Sequence, residues 1–182
     1  MCQKLPDDGS FFVPLLDIDE DLAEAARRAG CPCGGVLHRA PFWRKPRGLP
    51  AGLGDEHTKR LSFCCAVDGC RKRMTPPSVR FLGRKVYLGA VVVLATAARP
   101  RLAQLRATLG ASVRTLARWR DWWRGSFVAS RFWRAARARL GVPVDEETLP
   151  ASLLERFAGD ETARLVAVLR FLAPLTVTEG LP

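Results

Sequence analysis

Five of the six cysteines in this 182-residue chain lie in two short stretches, "CPCGG" at 31–35 and "FCCAVDGC" at 63–70. Two thiolates one residue apart, followed by glycines, fold as a tight knuckle. A second pair supplied from a distant turn then completes a tetrahedral set of ligands for Zn2+. Packing alone does not explain five clustered cysteines. Cys2 stands apart and carries no role. His38, five residues beyond Cys33, is a further candidate ligand, although four cysteines already fill a site, and His57 falls in a loop. Residues 1–10 are polar and do not resemble an export signal. No apolar run reaches the ~18 residues a membrane span requires. The expected compartment is therefore the reducing cytoplasm, where paired cysteines point to metal and not to disulfides.

Charge is the second feature with chemical content. The net charge of +11 is unevenly placed. Residues 1–38 hold three basic and seven acidic side chains, and residues 140–182 have the same balance. Between them, 39–85 holds twelve basic against three acidic, and 99–139 eleven against one. A band that dense, mostly arginine, suits a polyanionic partner, because each neutralised phosphate releases condensed counterions. An arginine-favouring genome alone would not leave both ends acidic.

The elements that must position these residues follow from local pattern. Residues 1–18 read as a loose apolar leader, with Pro14 discouraging a long helix. Asp19 is placed to cap a helix over 20–29, with acids in its first turn and Arg27 and Arg28 in its last. Gly30 ends that helix and delivers the chain to Cys31. Residues 47–54 are a proline- and glycine-rich loop. Residues 60–63 alternate as a short strand entering the second knuckle, and period-2 alternation puts Cys65 on the face of Phe63.

That second knuckle, "RLSFCCAVDGCRKRMT" at 60–75, resembles the second half of the zinc ribbons at the front of insertion-sequence transposases. In those, an R-Y-x-C strand leads to a second cysteine, then basic residues, an aromatic and a threonine. Phe63 and Cys65 match the strand, Cys70 the second cysteine, Arg71, Lys72 and Arg73 the basic run, and Met74 and Thr75 the end. The first pair departs as C-x-C, and the second is spread over four intervening residues with Cys64 spare. The expected ligands are Cys31, Cys33, Cys65 and Cys70, with Cys64 as substitute. Arg71, Lys72, Arg73, Arg80, Arg84 and Lys85 are the expected nucleic-acid contacts of this half, held extended by Pro76 and Pro77.

Residues 84–98 are an apolar helix by length, broken at Pro100. The following "RLAQLRATLGASVRTLARWRDWW" at 101–123 resembles a helix-turn-helix with its turn at Gly110. Leu105, Leu109, Ala111, Leu116 and Trp119 occupy the apolar positions, while Arg106 departs from the small residue usual at the helix crossing. Ser112 caps a second helix reaching Trp123. At 100° per residue, Leu116, Trp119 and Trp123 share one face and Arg114, Arg118 and Asp121 the other. A recognition helix in a major groove has that form, making Ser112, Arg114, Arg118 and Arg120 the expected DNA contacts. The alternative is an amphipathic helix with solvated arginines. A basic helix follows Ser130, then a linker over 141–150 and two tail helices, 151–158 and 161–173. In the second, Leu165, Val168, Leu169 and Leu172 form a stripe that closes the core or, alternatively, makes a dimer contact.

The expected organisation is mainly α with a small β zinc ribbon. An N-terminal segment with the ribbon (1–80) precedes a helix-turn-helix unit (81–140) and an acidic helical tail (141–182). The resemblance implies duplex DNA as partner, in an accessory protein of a mobile element, with a transposase or a second copy as further partners. No enzyme activity is expected. Asp145, Glu146 and Glu147 are consecutive, not carboxylates gathered from separate strands around two metal ions, and neither histidine is placed as a base. Three alternatives stand beside this reading. They are a repressor of a chromosomal operator, an RNA-binding ribbon stacking bases on Phe42 and Trp43, and an adaptor whose tail helix docks on another protein.

Overall fold

The computed structural model describes residues 9–44, 46, 49, 52–82, 89, 92, 93, 96 and 112–177. The chain is mainly helical with a small antiparallel sheet. Helix α1, Phe12–Ala29, buries Phe12, Leu15, Ile18, Asp19 and Ala23. It begins well before the expected residue 20. Pro14 lies in its first turn, where a missing N–H costs nothing, so it does not block the start. Asp19 is consequently inside the helix and does not cap it. Gly30 ends the helix at φ 74°, a left-handed value that favours glycine, and its N–H bonds to Arg27 O.

Among the described residues five short strands follow: β1 Leu37–Arg39, β2 Phe42–Trp43, β3 Lys59–Arg60, β4 Phe63–Cys65 and β5 Arg73–Met74. One sheet has the order β1-β4-β5 and a separate ribbon pairs β2 with β3. All pairings are antiparallel, with Leu37 opposite Cys65, Phe63 opposite Met74, and Trp43 opposite Lys59. Alternation along β4 buries Phe63 and Cys65 and leaves Cys64 between them half-buried, the face assignment that period 2 requires.

The helical body begins, among described residues, with helical Gly89, Val92, Val93 and Thr96. Helix α2, Val113–Trp122, is capped by Ser112, whose hydroxyl accepts from Thr115 N at 3.2 Å. It runs into a π-helical turn, Trp123–Phe127. Trp122, just before this turn, and Trp123 and Phe127 within it all enter the core, with ring centroids 4.7–5.4 Å apart. Strict 100° spacing does not put Trp122 on that face. Trp123 Nε1 donates to Thr96 Oγ1 at 2.9 Å, which ties the two helical segments together.

Helix α3, Arg131–Ala136, is capped by Ser130. Residues 141–150 do not hang free as a linker, because Glu146 accepts from Trp133 Nε1 at 2.7 Å and from Arg137 at 3.0 Å. Helix α4, Ala151–Leu154, is shorter than expected; α5, Glu161–Leu172, is capped by Asp160. Leu165, Val168, Leu169 and Leu172 of α5 lie in one core with Phe12 and Leu15 of α1, Leu116 and the buried tryptophans. A smaller core holds Ala23, Cys31, Leu37, Phe63 and Cys65. Helix α1 therefore serves both cores, and the ribbon is not a separate bead ahead of the helices. The first helix of the expected helix-turn-helix, with Leu105, Leu109, Gly110 and Ala111, lies outside the described residues.

Candidate metal centre

The two knuckles converge because α1 and β1 deliver one and the β4–β5 turn the other. In the first, Gly34 N bonds to Cys31 O at 2.8 Å and Cys31 N to Gly35 O at 3.4 Å. In the second, Cys70 N and Arg71 N both bond to Val67 O, and Cys65 N bonds to Lys72 O. A Cβ on Gly35 would stand 2.6 Å from Cys65 Sγ and 3.3 Å from Cys33 Sγ, so only glycine lets the backbone pass this close.

The sulfurs of Cys31, Cys33, Cys65 and Cys70 all lie within 4.8 Å of one another. Cys31 and Cys70 are 3.7 Å apart, and Cys33 and Cys65 3.5 Å. None of the four is in a disulfide. A tetrahedral zinc with Zn–S bonds of about 2.3 Å would hold its sulfurs roughly 3.8 Å apart, so the cluster fits a four-thiolate ion. Cys64 lies outside it, with its thiol near Arg71 O at 3.5 Å. His38 is exposed on β1, opposite Cys64 and away from the sulfurs.

Three of the four thiols are displaced from their ordinary values. The Gly35 N–H, helped by hydrogen bonds from the other cysteines, draws the Cys33 thiol down to about 7. At Cys65 the Val67 N–H favours the thiolate, but burial and the hydrogen bonds with Cys33, Cys31 and Cys70 outweigh it and push the thiol up to about 12. Cys31 is raised in the same way, against the pull of the Cys33 N–H. Four thiolates this close ionise together only around a positive ion. Four cysteines would fill every position of a tetrahedral ion, so a metal held here would have the form of a structural site.

Behind the centre lies a buried polar lock that no local pattern announces. Asp19 accepts from Ser78 Oγ at 2.6 Å, Val79 N at 2.7 Å and Arg80 Nε at 2.8 Å. The rest of the Arg80 guanidinium donates to the carbonyls of Glu56, His57 and Lys59. Arg80 is 1% exposed. The expectation that it contacts nucleic acid is therefore corrected, because its donors are spent inside the protein and no phosphate reaches it. Arg60 is buried beside this lock, with Nη2 on Pro76 O at 2.6 Å; burial holds its guanidinium down to about 10.

The other sequence-derived contacts divide cleanly. Arg71, Lys72 and Arg73 are exposed along the second knuckle, with Arg71 at φ 43° and paired with Asp68. Ser112, Arg114 and Arg118 are exposed and Arg120 is half-buried, while Leu116, Trp119, Trp122 and Trp123 face the core. Arg84 and Lys85 lie outside the described residues. Missed from sequence were Asp19, 61 residues before its partner, and Lys59, whose ammonium sits 4.5 Å over the Trp43 ring. Neither has a short-range signal.

Fold and site define a mainly helical chain whose small antiparallel sheet carries a four-cysteine cluster able to hold a metal ion. Compared with protein-family models, curated proteins and solved structures, the chain matches none. Among the described residues, no helix is long and apolar enough to cross a membrane.

Proposed function

We propose that this chain is a non-enzymatic protein that binds duplex DNA, with Zn2+ held by Cys31, Cys33, Cys65 and Cys70 as a structural staple. The observation that carries this reading is the basic face of α2, the turn after it and α3, where Asp121 is the one carboxylate among six arginines. Arg114, Arg118, Arg124, Arg131 and Arg134 are exposed, and among the described residues no carboxylate pairs with any of them or with Arg120. The opposite side of the same helices is fixed in the core through Leu116, Trp119, Trp122 and Trp133. A rigid helix that presents cations on one side suits a polyanionic groove. Arg114 and Arg118 would reach base edges, and Arg120 with Arg71, Lys72 and Arg73 would reach phosphates.

Zinc contributes folding free energy and no chemistry in this reading, on the order of 10 kcal/mol for a site of this kind. The resemblance of the second knuckle to transposase zinc ribbons supports an accessory role at the ends of a mobile element. Fluorescence anisotropy of the zinc-loaded chain with a labelled duplex, competed by RNA of the same sequence, tests the proposal. The expected result is that duplex DNA binds and RNA competes poorly. Binding to RNA alone would replace the reading with the ribbon-on-RNA alternative.

A further inference from the structure

The β2–β3 ribbon has a use that the α2 face does not explain. Of the five tryptophans, Trp119, Trp122, Trp123 and Trp133 are at most 7% exposed, whereas Trp43 is 60% exposed. Leaving an indole in water forgoes the largest burial a side chain can give, yet the ribbon is firmly held. Arg44 N bonds to Thr58 O, and buried Arg80 grips the carbonyls of His57 and Lys59 from behind. The register sets Trp43 opposite Lys59, with the ammonium 4.5 Å over the ring. By strand alternation half-buried Phe42 lies on the other face of the ribbon, with the guanidinium groups of Arg44 and Arg73 5.4 and 5.6 Å from its ring centre. The paired strands β2 and β3 contain no carboxylate.

An exposed indole with a cation beside it matches one partner chemistry closely. An unpaired base offers a flat π face to stack, and its phosphates offer charges for the flanking cation. An acidic peptide would use the cation but leave the indole without a partner, and an intact duplex hides its base faces. We infer that Trp43, with Lys59 across the strand pair beside it, forms a stacking site for an unpaired nucleotide in DNA. The chain would then engage a duplex where it adjoins a single-stranded end. This inference rests on the DNA-binding reading and names the part of the ligand that the ribbon takes.

The test uses the full zinc-loaded chain and two DNAs, one blunt duplex and the same duplex with a short thymidine overhang. The overhang should tighten binding on the order of tenfold, from stacking of one or two bases, and should quench tryptophan emission more than the blunt duplex does. Trp43→Ala should bring the overhang duplex down to the blunt value and abolish the extra quenching, whereas Trp43→Phe should keep most of the preference. Equal affinity of the natural chain for the two DNAs, or a preference that persists in Trp43→Ala, overturns the inference and leaves duplex binding standing. Failure to bind either DNA overturns the inference and the reading beneath it together.

Discussion

Arg80 Nε meets Asp19 Oδ2 at 2.8 Å with neither side chain more than 1% exposed, and this one contact joins α1 to the segment that leaves the second knuckle. The carboxylate also takes Ser78 and Val79, so a single residue of α1 satisfies three donors from the far side of the ribbon. The geometry makes Asp19 an anchor for both cores, since Ile18 packs in one and Ala23 in the other.

Removing one member of such a pair leaves an uncompensated buried charge. Asp19→Ala should therefore lower stability by about 3–5 kcal/mol, read as a lower urea midpoint with zinc present. A loss below about 1 kcal/mol, the value of an exposed pair, would show that the lock does not hold the two parts together.

The metal centre makes a prediction of its own. Native mass spectrometry should find about one zinc per chain, and a chelator should unfold the ribbon. Gly35→Ala should weaken zinc binding, because its new Cβ would crowd Cys65 Sγ at 2.6 Å. Cys64→Ser should retain the metal, whereas Cys65→Ser should lose it. A metal-free chain whose N-terminal half melts cooperatively would contradict the assignment.

His57 gives stability a pH dependence of calculable sign. Burial, opposed by the charge of Glu56 and reinforced by that of Arg80, holds its imidazole below the ordinary value. As pH falls through about 6.5, the unfolded chain takes a proton that the folded chain refuses, so stability drops below that pH and is flat above it. His57→Leu should remove this component. Acid loss of zinc acts on both proteins, so the difference between their urea midpoints isolates the histidine. The variant should gain on the natural chain as pH falls from 7 toward 5. A difference that does not move with pH would refute the assignment.

What could be read from the sequence, and what could not, divides by the range of the interaction. The knuckles were legible because cysteine identity, glycine spacing and strand alternation are all local, and the structure brings the four chosen sulfurs together. Ser112 and the Leu116/Trp119 face were legible from cap chemistry and the 3.6 period. Pro14 misled, because the same residue that breaks a helix interior is harmless in a first turn. Arg80 misled more seriously. Within a basic run it looks like its neighbours, and only a carboxylate 61 residues away makes it internal. The π turn after Trp122 was invisible for a related reason, since tertiary packing of three aromatic rings sets that register.

On α2, two neighbouring residues should separate folding from recognition. Trp119, 7% exposed, belongs to the core, and Trp119→Ala should cost about 3–5 kcal/mol of stability. Arg118 is exposed and donates to Thr115 Oγ1 at 3.5 Å. Arg118→Ala should leave the melting temperature nearly unchanged and cost about 1–3 kcal/mol on a preferred DNA sequence, with less on random DNA. Equal losses on both would make Arg118 a phosphate contact, and no loss on either would remove α2 from the interface.

The central claim, that the exposed arginines and lysines meet the phosphates of duplex DNA, is tested most directly by a salt titration of duplex affinity. Each neutralised phosphate releases counterions, so log Kobs against log salt should fall with a slope of roughly −4 to −8. Lys72→Ala, Arg73→Ala and Arg120→Ala, which remove phosphate contacts, should each make that slope shallower by up to about one. A slope near zero, or no binding at low salt, would contradict the claim and make a protein partner the better reading of the basic face.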